Sequence, residues 1–367
     1  YAVPCYWRTF DNVMSYMTYR SDVAEAVGYD EFPETTEEII DLMKKSQDYI
    51  VEETGAKAYS WMHQNQDTAH WLHRSYDTYP FYVENSLGIV LIRQDGTVDS
   101  FYESEEFKQD ADTYYEMYQA GLIDPDILNR DSQKKYDDAK FGAMLPSQTF
   151  DPNQGVTMQE NGVEGAEVKW VRSFSEDTPD MIYTYVQNLN AISATAEDPE
   201  SGLKFLNWLY ASEENHNLYH YGIEGTHYEV VEEGAITNGE DRINYPEGLD
   251  ATTTTYRKSG TWLCPNQFIG DIWGLDLPDN YWDATRDFNN GSQKSAAFGF
   301  SFDATKTPNE IAACTNVVNK YHKALVCGAL NPEETLPKFN QELKDAGIDA
   351  IITEKQAQLD AWLAEQA

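Results

Sequence analysis

The sequence is poor in basic side chains and in cysteine, and it lacks any long apolar run. Its 367 residues carry 26 Lys and Arg against 63 Asp and Glu, a formal charge of -37. A surface of that sign repels phosphate backbones and anionic headgroups, which excludes nucleic acid as a partner. No stretch approaches the roughly 20 apolar residues of a membrane span. Tyr1-Ala2-Val3-Pro4 has neither the basic start nor the apolar stretch of a secretory signal, so an export signal is expected to lie outside this sequence. The four cysteines, at 5, 264, 314 and 327, show no CxxC or Cys/His zinc spacing. Cys314 and Cys327 are predicted to share one helix, about 20 Å apart at a rise of about 1.5 Å per residue. A disulfide needs Cα atoms within about 7 Å, so both thiols are expected reduced and separately buried.

Catalytic signatures are missing too. There is no G-x-S-x-G, H-E-x-x-H or Walker loop. His63, His70 and His73 lie loosely with Asp67 and Asp77, but no third ligand has zinc spacing, so no metal is expected. Asp287-Phe288-Asn289-Asn290-Gly291 has part of a calcium-loop pattern and lacks the distal glutamate. Glycoside hydrolysis needs two carboxylates flanking a sugar bond, and nothing singles out such a pair among 63 acidic residues. No cofactor is expected.

What is present reads as a globular chain long enough for two lobes, with 41% hydrophobic and 24% charged residues. Residues 12–20 read as a strand, and Asp22 opens a short helix ending at Gly28. Thr35-Thr36-Glu37-Glu38 is a capping box; the helix behind it puts Ile39, Ile40, Met43 and Ile50 on one face and closes at Gly55. Residues 87–92 and 97–102 flank Asp95-Gly96, a hairpin signal. A tyrosine-rich helix runs from Glu105 to Ala120. Residues 141–145, 167–171 and 182–192 read as short strands. Asp198-Pro199 opens a helix through Trp208. Thr307-Pro308-Asn309-Glu310 combines a capping box with proline in the first turn; Asn331-Pro332 starts a second helix, and a third follows Gly347. Strands and helices interleave early and helices dominate late, which predicts α/β with a helical C-terminal part.

Aromatics stand out, with 25 Tyr, 15 Phe and 9 Trp. Their flat apolar faces with a polar edge suit sugar rings, while amides and charged groups bind hydroxyls. The candidate ligand-binding residues sit with polar neighbours at predicted loops and strand ends. They are Tyr6-Trp7-Arg8 after the first strand; Trp61, His63 and Trp71 around a polar stretch; Gln148; Asn188 and Asn190; and Trp262 with Asn266-Gln267.

Several stretches resemble the extracellular solute-binding proteins of carbohydrate ABC importers (family 1). Tyr1-Ala2-Val3-Pro4 resembles their crossover strand. Ala191-Ile192-Ser193, Asp198-Pro199 and the helix through Trp208 resemble the return into the first lobe. More specific are Asn217 to Gly225 with His227-Tyr228, and Trp262…Asn266-Gln267-Phe268. Gly299-Phe300-Ser301-Phe302-Asp303, Glu310-Ile311-Ala312-Ala313, Gly347-Ile348-Asp349 and Glu354 to Leu359 are similar to a Gram-positive lipoprotein subgroup with a C-terminal domain of unassigned function.

The resemblance implies a periplasmic-binding-protein type II fold of two lobes with two hinge crossings. The N-terminal part of lobe one is expected to be absent from this chain, so that residues near 190–230 cover a sheet short of strands. Residues 1–8 are expected as crossover and hinge, 9–187 as the second lobe, 188–255 as the return segment and 256–367 as a helical C-terminal domain. The implied function is capture of a solute, an oligosaccharide, for an ABC permease, with no catalysis; hinge closure buries the ligand. A monomer on the extracellular face is implied, lipid-anchored through a cysteine outside this chain. The sugar site is expected where Tyr6-Trp7-Arg8 meets Trp262 and Asn266. A carbohydrate-active hydrolase and a peptide or sensory receptor are the alternative readings.

Overall fold

The elements form where local end signals and apolar periodicity agree. The structure, a computed structural model, describes residues 2–5, 16–60, 70–83, 89–129, 132–147, 154–172, 178–182, 188–237, 239–256, 260–261, 266–274 and 290–366, with Asp283, Arg286 and Asp287. The chain opens with β1 (Ala2–Pro4), β2 (Tyr16–Arg20), α1 (Ser21–Ala26), α2 (Thr36–Thr54), α3 (His70–His73), β3 (Phe81–Val83), β4 (Val90–Arg93) and β5 (Val98–Ser100). Next come α4 (Glu105–Gln119), α5 (Ser132–Lys140), α6 (Gln154–Glu160), β6 (Val168–Arg172), β7 (Met181–Ile182), β8 (Leu189–Ala191), α7 (Pro199–Leu209) and α8 (Glu213–His220). It closes with β9 (Glu229–Glu232), β10 (Arg242–Asn244), β11 (Ile272–Trp273), β12 (Gln293–Lys294), α9 (Pro308–Val326), α10 (Pro332–Asp345) and α11 (Ile348–Gln366).

Two compact units result. Unit 1 holds residues 1–10 and 184–292, and unit 2 holds 11–183 and 293–367. The expected helical domain at 256–367 is therefore not one body, because 256–292 belong to unit 1 and 293–367 to unit 2. The chain passes between units at 10/11, 183/184 and 292/293, a third passage beyond the two expected. Burial is the reason. Cys314, Leu325, Phe339, Leu343 and Leu359 are each 0% exposed and join the same apolar cluster as Ile39, Phe107 and Tyr114.

Unit 2 contains an antiparallel meander, β3-β4-β5, turned at Asp95-Gly96, and an antiparallel β2-β6 pair. The Asp95 carboxylate accepts from the Thr97 N–H at 2.9 Å, fixing that turn. Strand β5 is the edge of its sheet, and α11 covers it. Gln356 on α11 accepts from the Val98 N–H at 2.8 Å and donates to the Gly96 carbonyl at 2.9 Å. One amide thus satisfies edge groups that a further strand would otherwise pair. Cys314 and Cys327 are free and buried, one inside α9 and the other at its C-terminal cap.

Local end signals mostly act as expected. The Thr35 hydroxyl accepts from the Glu38 N–H at 3.3 Å and donates to the Glu38 carboxylate at 2.9 Å. Asp198 accepts from the Ser201 N–H at 3.0 Å, and Asn331 from the Glu333 N–H at 3.0 Å. Thr307 differs. A 3-10 turn, Ala304–Lys306, runs straight into α9 and leaves Thr307 at φ -131°, ψ 40°. A capping side chain needs extended backbone to reach back. The Thr307 hydroxyl instead lies buried with no hydrogen-bond partner among the described residues. Residues 141–145 also form no strand; only Met144 bridges, to Tyr59. The turn that ends α5, with Ala143 N–H donating to Asp138 O at 3.1 Å, bends the chain there. The strand expected at 182–192 appears as β7 and β8, and residues 183–187 between them lie outside the described residues.

In unit 1, β1 pairs antiparallel with β8, so the two stretches expected as crossings form one ribbon. A second sheet has the order β11-β10-β9. Helices α7 and α8 leave Leu203, Phe205, Leu218 and Tyr219 in solvent; the Phe205 ring stacks on Trp208 at 5.9 Å and meets Tyr219 edge-on at 5.8 Å.

Candidate functional site

The β1–β8 ribbon is the first part of the candidate site. Val3 faces Asn190 and Pro4 faces Leu189 in its register. It continues through Cys5, whose N–H donates to the Asn188 carbonyl at 2.9 Å. The Asn190 amide donates to the Cys5 sulfur at 2.7 Å, and the Tyr210 hydroxyl donates to the Pro4 carbonyl at 2.5 Å. Burial pushes the Cys5 thiol up, keeping it protonated. The ribbon thus sets Asn188 and Asn190, both half-buried, beside the strand leading into Tyr6-Trp7-Arg8. Tyr6, Trp7, Arg8, Trp61, His63, Gln148 and Trp262 lie outside the described residues, as does Cys264.

The second part is the loop from Asn266 to Asp271. Asn266 accepts from the Phe268 N–H at 3.1 Å and so caps the 3-10 turn Gln267–Ile269. The Gln267 amide donates to the Thr261 hydroxyl at 2.8 Å. Helix α8 pins the far end of the loop. Asn217 on α8 donates to the Asp271 carboxyl at 2.8 Å and accepts from the Asp271 N–H at 3.2 Å. Tyr221 donates to the Asp271 carbonyl at 2.9 Å. Burial, with His220 as a second cause, pushes His216 down to about 4, so its ring is neutral at pH 7.

The His216 ring lies against Gly270, where an added Cβ would overlap the imidazole. The ring is fully buried and backed by His220, 4.4 Å away centroid to centroid, which restricts its retreat. Gly270→Ala is therefore expected to destabilise unit 1 by about 1–3 kcal/mol, the usual penalty of overpacking. Urea unfolding followed by Trp273 environment reads this; an unchanged midpoint would mean that the ring moves freely.

Sequence reasoning missed Asp271 and Asn217 as partners. They are 54 positions apart and only the fold joins them; the one available signal was that Asn217 belongs to one quoted family-like motif and Asp271 lies just past the end of another.

Two sequence-predicted groups have other surroundings. Trp71, expected to face ligand, is 4% exposed in the unit 2 core, and its indole donates to the Tyr114 hydroxyl at 3.0 Å. Its apolar neighbours and that buried hydroxyl suit core packing. His73 is also buried, with Nε2 2.9 Å from the Asp110 carboxylate, whose other oxygen accepts from Tyr76 at 2.5 Å. Burial and then the Asp110 charge push the Tyr76 phenol up. His63 and the His70 side chain lie outside the described residues. Among the described residues no group of three or more His, Cys, Asp or Glu could hold a metal ion. An open groove of about 680 Å³ in unit 2 is lined by Glu37, Lys44, Arg74, Gln109 and Glu116 among others, and none of the predicted ligand residues that are among the described residues lines it.

Residues 296–364 match the model of a domain of unknown function (DUF3502). Over 294 residues the chain is 25% identical to a carbohydrate ABC transporter substrate-binding protein of Streptococcus pneumoniae serotype 4 (strain ATCC BAA-334 / TIGR4). That alignment covers 78% of this chain, which spans 56% of the relative's length. Among solved structures, the N-glycan transport solute binding protein (NgtS) of Streptococcus pneumoniae superposes with a TM-score of 0.69 at 20% identity, covering 100% of this chain and 76% of that one. FusA, an ABC-transporter substrate binding protein of S. pneumoniae in complex with kestose, gives 0.61 at 14% identity, covering 100% and 77%. The chain has the periplasmic-binding-protein type of fold found in ABC-transporter solute-binding proteins.

Proposed function

We propose that this chain, built on the solute-binding-protein fold, is a receptor that captures an oligosaccharide for an ABC importer. The observation that carries the reading is whole-chain similarity, at a TM-score of 0.67, to NgtS structures holding Man1GlcNAc and Man5GlcNAc. Capture needs no acid–base pair or metal; it needs flat apolar faces and fully paired hydroxyls, since an unpaired buried polar group costs about 1–3 kcal/mol. The proposed ligand contacts are Tyr6, Trp7, Arg8, Trp61, His63, Gln148, Asn188, Asn190, Trp262, Asn266 and Gln267. The receptor is proposed to act as a monomer at the extracellular membrane face, through a lipid anchor outside this sequence, with the permease as its partner.

A thermal-shift panel of Man1GlcNAc, Man5GlcNAc and kestose tests the reading. Ligand at 100 times its Kd stabilises the folded state by about 2.7 kcal/mol, an easily read rise in Tm. If no oligosaccharide in a broadened panel raises Tm while short peptides do, the carbohydrate assignment fails. Trp262 gives the residue-level test. If its ring stacks on sugar, Trp262→Ala should weaken binding by about 1–3 kcal/mol, by analogy with other flat rings on aromatics, and leave the free protein's Tm nearly unchanged. A large drop in Tm with unaltered affinity would assign Trp262 to the core.

A further inference from the structure

Helix α8 gives one face to a single loop. Glu213, His216, Asn217 and His220 recur at the three- and four-residue spacing of one helix face. The His216 ring lies where Gly270 lacks a side chain, and Asn217 takes hold of the next residue, Asp271. Asn217 is 4% exposed and spends both ends of its amide there. Its Nδ2 donates to the Asp271 carboxyl at 2.8 Å, and its Oδ1 accepts from the Asp271 N–H at 3.2 Å. A main-chain N–H can only donate, so this pairing fixes which way round the amide lies. Tyr221, the C-terminal cap of α8, donates to the Asp271 carbonyl at 2.9 Å. The Asp241 N–H donates to the second carboxyl oxygen, also at 2.9 Å. In each bond Asp271 accepts through an oxygen or donates through its N–H, so all four persist whether or not the carboxyl carries a proton.

We propose that Asn217, with Tyr221 beside it, is the positioning residue of the receptor site: through Asp271 it fixes the 266–271 loop on α8 and so sets where Asn266 and Gln267 meet a ligand. The part these two residues play in binding rests on the receptor reading; the hold itself stands on the contacts above. The near end of the loop is tied by its own turn, because Asn266 Oδ1 accepts from the Phe268 N–H at 3.1 Å. With that oxygen committed, what Asn266 offers a ligand is its Nδ2 donor. A ligand that must first order a loose loop loses binding free energy to that ordering, and a loop already fixed spares it.

The test is amide exchange and ligand titration on the whole chain. Asn217→Leu keeps the shape of the side chain and removes both of its hydrogen bonds to Asp271. Exchange over residues 267–273 should quicken about tenfold. The amides of β1, β8 and unit 2 should exchange as in the wild type, because the opening is local. Exchanging the two side chains, Asn217→Asp together with Asp271→Asn, restores the pairing in reverse. The amide at 271 then donates to the carboxyl at 217, which still accepts from the N–H of 271, and the amide oxygen accepts from the Asp241 N–H. Protection should return to within about threefold of the wild type. A side chain at 217 that serves packing alone gains nothing from the change at 271.

Titration with Man5GlcNAc reads the consequence for binding. Its Kd should rise about tenfold in Asn217→Leu and fall back in the exchanged pair. Unchanged loop exchange in Asn217→Leu overturns the proposal, as does an exchanged pair that recovers no protection. A Kd that stays constant while the loop quickens overturns the positioning role. Should Asn217→Leu fail to fold, Tyr221→Phe, which removes one hydroxyl, decides. It should quicken exchange over 267–273 severalfold, and a wild-type profile overturns the proposal. If the wild type does not bind Man5GlcNAc, that counts against the receptor reading for this sugar, while loop exchange still decides the hold.

Discussion

Phe339→Ala should lower the unfolding free energy of unit 2 by about 3–5 kcal/mol. Phe339 lies on α10 and is 0% exposed. Its ring meets Tyr102 at 4.8 Å, Tyr321 at 5.0 Å and Phe107 at 6.4 Å, centroid to centroid. Tyr102 and Phe107 belong to the first half of the chain, so the substitution opens a cavity in a core that distant segments share. Denaturant unfolding should show one transition for unit 2, moved to lower midpoint. A separate early transition, with the rest of unit 2 unaffected, would mean that residues 296–364 fold as an appended module.

Gly328→Ala should be nearly as damaging, at about 2–5 kcal/mol. Two causes add. Gly328 follows the Cys327 cap of α9 at φ +71°, where an L side chain costs about 1–2 kcal/mol. A Cβ there would also overlap the Tyr114 carbonyl and come within 2.7 Å of the Tyr118 Cβ, both on α4. The obstacle includes backbone, so neither helix can give way without a shift, which adds about 1–3 kcal/mol. Gly28→Ala separates the causes. Gly28 has φ +93° with nothing within 4 Å of the added carbon, so only the conformational cost applies. Equal losses in the two variants, measured by thermal unfolding, would refute a tight α9–α4 approach.

Much of what depends on a few neighbouring residues was legible in the sequence. Thr35 with Glu38, the helix start at Asp198-Pro199, and the Asp95-Gly96 turn each close within a few positions, and all form as read. Thr307 shows the limit of such signals, because the 3-10 turn before it changes the backbone that its hydroxyl needed. Unit membership was not legible. The helical character of 308–366 is periodic and local, but its attachment to unit 2 comes from contacts such as Gln356 with Val98 and Tyr102 with His322. The same holds at the candidate site. The residue types that suit a sugar could be read one by one, yet Trp71 and Asn190 have partners that only the fold reveals, Tyr114 and Cys5.

Calorimetric titration of the whole chain with Man5GlcNAc and kestose, followed by recovery and analysis of the sugar, tests the receptor reading most directly. The account predicts saturable binding of one oligosaccharide per chain, lost or weakened in Trp262→Ala, with the sugar recovered intact. Recovery of cleaved sugar, or saturable binding of peptides with none of any oligosaccharide, would contradict it.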